Sequence, residues 1–230
     1  MKTKNNLAAP DTGTFYTVLA LWLVAACTAV NYGSTLAGTG LAPDPRQAIG
    51  KALLCALLLA ATACATYRPR RERLGLGLGL LAAMVGDVVL ALPLKWSLIG
   101  GLGAFFITHL AYCMVLAPLR GQPRLWQRRA RPLPWLAASV LYVLFWPRLH
   151  ELTVPVALYI VALCAMASLA LSARHARLWL GAGAALFVAS DAMLGIERFL
   201  TAFPGSTPAI WFAYAAAQLC LVAGLLRRPD

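Results

Sequence analysis

The chain is predicted to be an all-α membrane protein, a polytopic bundle of eight transmembrane helices with the N and C termini cytoplasmic. Three observations predict this. Hydrophobic residues make up 61% of the 230 and charged residues 12%, with a mean hydropathy of +0.73; a soluble domain carries about 25% charge and about 45–50% apolar residues. The apolar residues gather into eight runs near the about 17–25 residues that cross a bilayer. Finally, of 20 Lys and Arg, all but Arg46, Lys51, Lys95, Arg148 and Arg198 fall on one side of that eight-span path, and cytoplasmic loops collect basic residues. The composition excludes disorder, collagen and small disulfide scaffolds.

The elements follow in order. A short cytoplasmic segment, residues 1–14, precedes a single membrane domain, residues 15–226, and a tail, 227–230. Span one, Phe15–Tyr32, follows Lys2 and Lys4, and Val24-Ala25-Ala26-Cys27 resembles a lipoprotein cleavage box. An uncleaved first helix is expected, because its removal would upset the charge parity. Span two, Ala48–Tyr67, carries Lys51 near its outer end. Span three, Leu74–Leu92, opens with Gly75, Gly77 and Gly79; small residues let membrane helices approach, and the strand that a phosphate-binding loop needs is missing. Span four is Trp96–Ala117. Span five, Pro132–Pro147, is short and bracketed by prolines, yet without it the basic split falls from 15:5 to 13:7. Spans six to eight are Leu152–Ser172, Leu178–Leu200 and Pro208–Leu226. The net charge of +12 thus becomes a statement of topology beside anionic headgroups, not a nucleic-acid footprint.

The six cysteines all fall inside spans without a Cys-x-x-Cys pair, and the three His are scattered. They read as packing residues; no metal site or cofactor is expected.

Ionisable groups inside a span are costly and mark function. Of eight carboxylates, Asp87 and Asp191 lie well inside spans three and seven. Each is 13 residues beyond its span's first residue, so about 20 Å above the cytoplasmic end. At that common level they can face one cavity. Gly79–Leu90 (GLLAAMVGDVVL) and Gly183–Leu194 (GAALFVASDAML) match in Gly, Asp and Leu at an offset of 104 residues, as a parallel duplication of a four-span unit would leave them. Phe105, His109 and Tyr112 share a face of span four. Trp211, Tyr214 and Gln218 share one of span eight, and Asp191 and Arg198 one of span seven. Tyr and Trp also serve as interfacial anchors, and Gln as interhelical glue.

These segments resemble the YhhN-type lysoplasmalogenase family of multi-pass membrane proteins. The likeness runs from span two onward: Lys51, Gly86-Asp87-x-x-Leu90, Phe105-x-x-x-His109-x-x-Tyr112, Val154–Met166, Gly183–Phe199 with Ser190-Asp191, and Tyr214-x-x-x-Gln218. Family members usually carry a Pro near the span-two Lys, where this chain has Ala52, Leu53 and Leu54. The resemblance implies an integral membrane hydrolase that cleaves the vinyl ether of lysoplasmalogens to a fatty aldehyde and a glycerophospho-ethanolamine or -choline. It implies Asp87 and Asp191 as the catalytic pair, with Lys51, His109, Tyr112, Ser190, Tyr214 and Gln218 lining the cavity.

A vinyl ether is hydrolysed by acid, so the site needs a neutral acid and a carboxylate that activates water and steadies a cation, as in glycoside hydrolysis. Two aspartates at one depth can divide this work. Arg198, on the face of Asp191, favours Asp191 for the charged role, and Lys51 or Arg198 can meet the substrate phosphate. The partners expected are a lysophospholipid substrate and membrane lipids, with no nucleic acid, and the location is a bacterial inner membrane. A proton-coupled transporter would show the same membrane carboxylates and duplication, and aldehyde release is what separates the two.

Overall fold

The computed structural model describes residues 12–39 and 45–227. The predicted segment 1–14 and tail 227–230 fall almost wholly outside the described residues. The long helices are α1 (Thr12–Thr39), α2 (Pro45–Cys64), α3 (Arg70–Ala91), α4 (Ser97–Leu116), α6 (Leu133–Leu149), α7 (Thr153–Ala170), α8 (Arg177–Phe199) and α9 (Ser206–Leu226); a short α5 (Leu125–Ala130) precedes α6. No named strand occurs among the described residues, whose only bridge joins Arg120 to Ala173.

Among the described residues seven segments are long and apolar enough to cross a membrane. The fifth, Leu125–Ala170, spans 46 residues and contains both α6 and α7. The chain reverses between them at His150–Leu152, where His150 takes a φ of 46°. Trp135 donates to Ser168 Oγ (2.9 Å) and Tyr142 to the Thr153 carbonyl (3.1 Å), which fixes α6 and α7 as an antiparallel pair.

Helix starts follow local chemistry. Pro69 precedes α3, and Glu72 in its first turn suits the positive end of the helix dipole and pairs with Arg68 at 2.6 Å. Arg73 Nη1 donates to the Ala63 carbonyl (2.9 Å) and so satisfies the C-terminal turn of α2. Gly205, at a φ of 76°, supplies the left-handed residue that turns the chain into α9. Gln127 pins α5 by accepting from the Arg124 N–H (2.8 Å) and donating to the Ala173 carbonyl (3.3 Å). Helix α2 runs unbroken through Lys51, so the missing Pro leaves its geometry regular.

Packing neighbours define a ring: α1, α2, α3, α4, α7, α8 and α9, with α9 closing back on α1. Helix α6 lies outside it, against α7 and α8. Trp22 Nε1 donates to the Leu219 carbonyl (3.0 Å) and Trp211 Nε1 to the Ala29 carbonyl (2.9 Å), stitching α1 to α9. Helices α3 and α4 lie close because Gly79 and Gly86 leave room: a Cβ there would stand 2.4 Å from the Tyr112 ring and 2.8 Å from the Phe105 ring. Gly183 does the same between α8 and α9, against Leu221. Exposed Leu136, Val140, Val143 and Leu144 on α6 and Phe15, Leu19, Leu23 and Val30 on α1 form the greasy outer surface that hydrocarbon would cover.

Candidate active site

Two polar groups lie inside the helices. The first centres on Asp87 of α3, 5% exposed. Its Oδ2 accepts from Tyr214 Oη at 2.7 Å and from the Cys55 thiol at 3.6 Å. Gln218 Nε2 donates to Tyr214 Oη (3.2 Å), and Tyr112 Oη donates to Gln218 Oε1 (2.6 Å). The chain Tyr112–Gln218–Tyr214–Asp87 thus points every donor toward the carboxylate, and bonds aligned this way polarise one another. Lys51 interacts electrostatically with Asp87 and with Glu197. Glu197 itself accepts from Ser206 Oγ at 3.0 Å. Three helices therefore converge on Asp87, α2 with Lys51 and Cys55, α4 with Tyr112 and α9 with Tyr214 and Gln218, and Glu197 of α8 joins through Lys51.

The second group centres on Asp191 of α8. Its Oδ2 accepts from Tyr159 Oη of α7 at 2.7 Å. His109 Nε2 of α4 lies 3.1 Å from the same Tyr159 oxygen and 3.6 Å from Asp191 Oδ2. His109 is fully buried, whereas the Asp191 side chain is 13% exposed.

Aromatic rings stand between the groups. The Phe187 ring lies 4.9 Å from that of His109 and 5.6 Å from that of Tyr214, and Phe105 lies 5.7 Å from Tyr214 and 6.4 Å from Phe187. The two aspartates, expected from sequence to face one cavity, sit in separate hydrogen-bonded groups either side of these phenylalanines.

Asp191 borders a cleft of about 110 Å³ between α4, α6, α7 and α8. Its walls are apolar, with Leu90, Leu102, Phe105, Leu141, Phe145 and Val156 among them. Tyr159, Asp191 and Arg198 are the polar side chains in the lining. Arg198 is exposed and makes no ion pair among the described residues. It stands seven residues from Asp191 on α8, so about 10.5 Å along the axis. The two form no ion pair, which leaves the guanidinium open to a ligand.

Of the residues read from sequence, Lys51, Tyr112, Tyr214 and Gln218 gather round Asp87, and His109 and Arg198 lie on the Asp191 side. Ser190 belongs to neither group; its hydroxyl donates to the Ile210 carbonyl (3.1 Å) and ties α8 to α9. Trp211 is likewise a tie, between α9 and α1. Sequence reasoning treated Cys55 as packing, although it stands one helical turn from Lys51 and so on the same face. It passed over Tyr159 as well, within the segment Val154–Met166.

A carboxyl hydrogen-bonded to a phenol, with an imidazole beside it, at the wall of an apolar cleft can exchange a proton with a group held there.

Residues 47–225 match the YhhN family. Proteins named lysoplasmalogenase from Mycobacterium bovis and Mycobacterium tuberculosis are each 39% identical over 216 residues, covering 88% of this chain and 82% of their own length. No solved structure matches significantly. The family motifs fall on the helices that carry both polar groups, and the chain belongs to the YhhN family.

Proposed function

We propose that the protein is a membrane hydrolase that cleaves the vinyl-ether bond of lysoplasmalogens, giving a fatty aldehyde and glycerophospho-ethanolamine or -choline. The name shared by the relatives supports the reading. The observation that carries it is Asp191 and Arg198 two turns apart on one wall of a cleft that, apart from Tyr159, is lined by apolar side chains. In an extended lysoplasmalogen the phosphorus and the vinyl β-carbon are seven bonds apart, about 9 Å from standard bond lengths. A phosphate at Arg198 therefore leaves the vinyl ether beside Asp191 and the hydrocarbon chain among the leucines.

In this reading a carboxylic acid transfers its proton to the β-carbon, and the α-carbon and ether oxygen share the resulting positive charge. Water adds to the α-carbon and loses a proton. The hemiacetal collapses to the aldehyde and releases the glycerol hydroxyl. Asp191, at the cleft wall, meets the β-carbon. Asp87, the second member of the catalytic pair, accepts from Tyr214 and Cys55 and lies in the field of Lys51. Assigning the proton to Asp191, which borders the cleft, reverses the division of labour expected from sequence. Lys51, Tyr112, Tyr214 and Gln218 act through Asp87, and Ser190 keeps α8 and α9 in register.

The topology we propose has eight crossings, α6 and α7 counting separately, in two four-helix halves, with both termini in the cytoplasm of a bacterial inner membrane. The antiparallel α6–α7 pair and the positions of the basic residues support it.

The test is aldehyde release from lysoplasmalogen by purified protein in detergent. Activity without a closed compartment excludes pure transport. Asp87→Asn and Asp191→Asn proteins that fold normally are expected to release none; wild-type rates from both overturn the proposal.

A further inference from the structure

We propose that the outer groove between α2 and α3 binds an anionic diacyl phospholipid, with its phosphate at Arg70 and Arg73 and one acyl chain along Leu74, Leu78 and Leu81. The groove shares no lining residue with the cleft at Asp191, and the proposal does not depend on the reaction carried out there.

The sequence builds the groove along one face of a helix. Arg70, Arg73, Leu74, Gly77, Leu78 and Leu81 recur at steps of three, four and one residues on α3, which sets them in one stripe. Leu59, Thr62 and Ala63 of α2 form the facing wall. Gly77 brings no side chain into the space between; a Cβ there would stand 3.3 Å from Leu59 Cδ1. Thr62 spends its hydroxyl within α2, on the Leu58 carbonyl (2.8 Å). Leu74, Leu78 and Leu81 stay 61%, 47% and 45% exposed, an apolar strip left for hydrocarbon to cover.

Length and charge decide the occupant. Leu81 lies 11 residues beyond Arg70, so about 16.5 Å along the axis. Half of a bilayer's hydrocarbon core is about 15 Å. The groove thus runs the depth of one leaflet, with its charge at the helix end, where headgroups lie, and its leucines below. Arg70 and Arg73 make no ion pair among the described residues, and the neighbouring carboxylate of Glu72 is held by Arg68 at 2.6 Å. No carboxylate lines the groove. Arg73 Nη1 donates to the Ala63 carbonyl (2.9 Å), which fixes the guanidinium at the head of the groove; it uses one of the five N–H donors of an arginine. Arg70 is exposed at the rim. Two uncompensated guanidiniums favour an acidic headgroup over a zwitterionic one, whose cationic end they repel. The leucine strip favours a phospholipid over free phosphate, which would meet the arginines alone.

Native mass spectrometry of the purified protein in detergent counts bound lipids one by one and so gives their affinity. Phosphatidylglycerol is expected to bind about tenfold more tightly than phosphatidylcholine with the same chains. Arg70→Gln is expected to weaken phosphatidylglycerol binding about fivefold, the worth of one arginine near a membrane surface, and Arg73→Gln at least as much. Gly77→Leu keeps both charges but fills the groove, and a similar loss is expected. Arg71→Gln, exposed on the same turn but outside the groove, is expected to bind as the unmodified protein does, and excess inorganic phosphate is expected not to displace the lipid. Should Arg73→Gln fail to fold once its bond to α2 is lost, Arg70→Gln and Gly77→Leu carry the test. Equal binding of the two lipids overturns the proposal, as does unchanged binding in Arg70→Gln or in Gly77→Leu. An equal loss in Arg71→Gln overturns it by marking diffuse attraction to a basic surface. Displacement by phosphate overturns it by marking an anion site that needs no lipid.

Discussion

Replacing Arg198 by Ala tests the way substrate is held in the cleft. Arg198 lines the cleft, is exposed, and has no ion-pair partner among the described residues. A hydrogen bond to a charged group contributes about 1.5–3 kcal/mol when well shielded, and exposed charge pairs contribute about 0–1 kcal/mol. A partly open site at the cleft mouth falls between these, near 1.4 kcal/mol, which is about tenfold in affinity. Because Arg198 is two turns from Asp191, the loss falls on binding, and KM rises about tenfold with kcat little changed. Arg198→Lys keeps the charge but not the forked geometry, so its KM lies between. The assay is aldehyde release measured on two substrates, lysoplasmalogen and the corresponding alkenylglycerol without phosphate. Only the first is expected to respond. An unchanged KM for lysoplasmalogen refutes phosphate recognition at Arg198. An equal rise for the phosphate-free substrate refutes it too, because the variant has then damaged the cleft.

Three further predictions concern packing. Gly86→Ala places a Cβ 2.8 Å from the Phe105 ring; overpacking of this kind costs about 1–3 kcal/mol, so thermal unfolding in detergent should start several degrees lower, and an unshifted melt would mean that α3 and α4 can separate freely. Gly195→Leu drives a side chain into the Phe145 ring, 2.8 Å from the new Cβ, at the cleft wall; activity on long-chain substrates should fall more than on short-chain ones, and a uniform change would contradict the chain's placement. Trp211→Phe removes the bond to the Ala29 carbonyl; interhelical bonds in membranes average about 0.6 kcal/mol and reach about 1.7, so a small drop in melting temperature with unchanged KM is expected.

The helices were legible because bilayer-length apolar runs are a local property. The predicted spans Leu178–Leu200 and Pro208–Leu226 fall within two residues of α8 and α9 at each end. The extra length of α1 and the short α5 were not legible, since nothing in their composition distinguishes them from span and loop. The aspartates were found because charge inside hydrocarbon is expensive wherever it occurs. Their separation was not, because it depends on which helices are neighbours: Asp87 is reached by α9 and Asp191 by α7, and Phe105 and Phe187 come between. Cys55 was missed because a thiol in a span looks like any small apolar residue until a carboxylate is beside it. Ser190 and Trp211 stand at polar positions on helix faces, yet their hydrogen bonds go to backbone carbonyls, a choice that side-chain periodicity does not encode.

Helix α6 stands outside the ring with Ala138, Leu141 and Phe145 toward the cleft and Val140, Val143 and Leu144 exposed on its other side. One helix, about 10 Å across, is then all that divides a bound chain from the surrounding lipid. A substrate held there exchanges with the bilayer, so the concentration that sets its rate is a mole fraction in two dimensions. Diluting the membrane with inert lipid at constant bulk substrate would slow the reaction, while diluting the whole suspension with buffer would leave the turnover of each molecule unchanged.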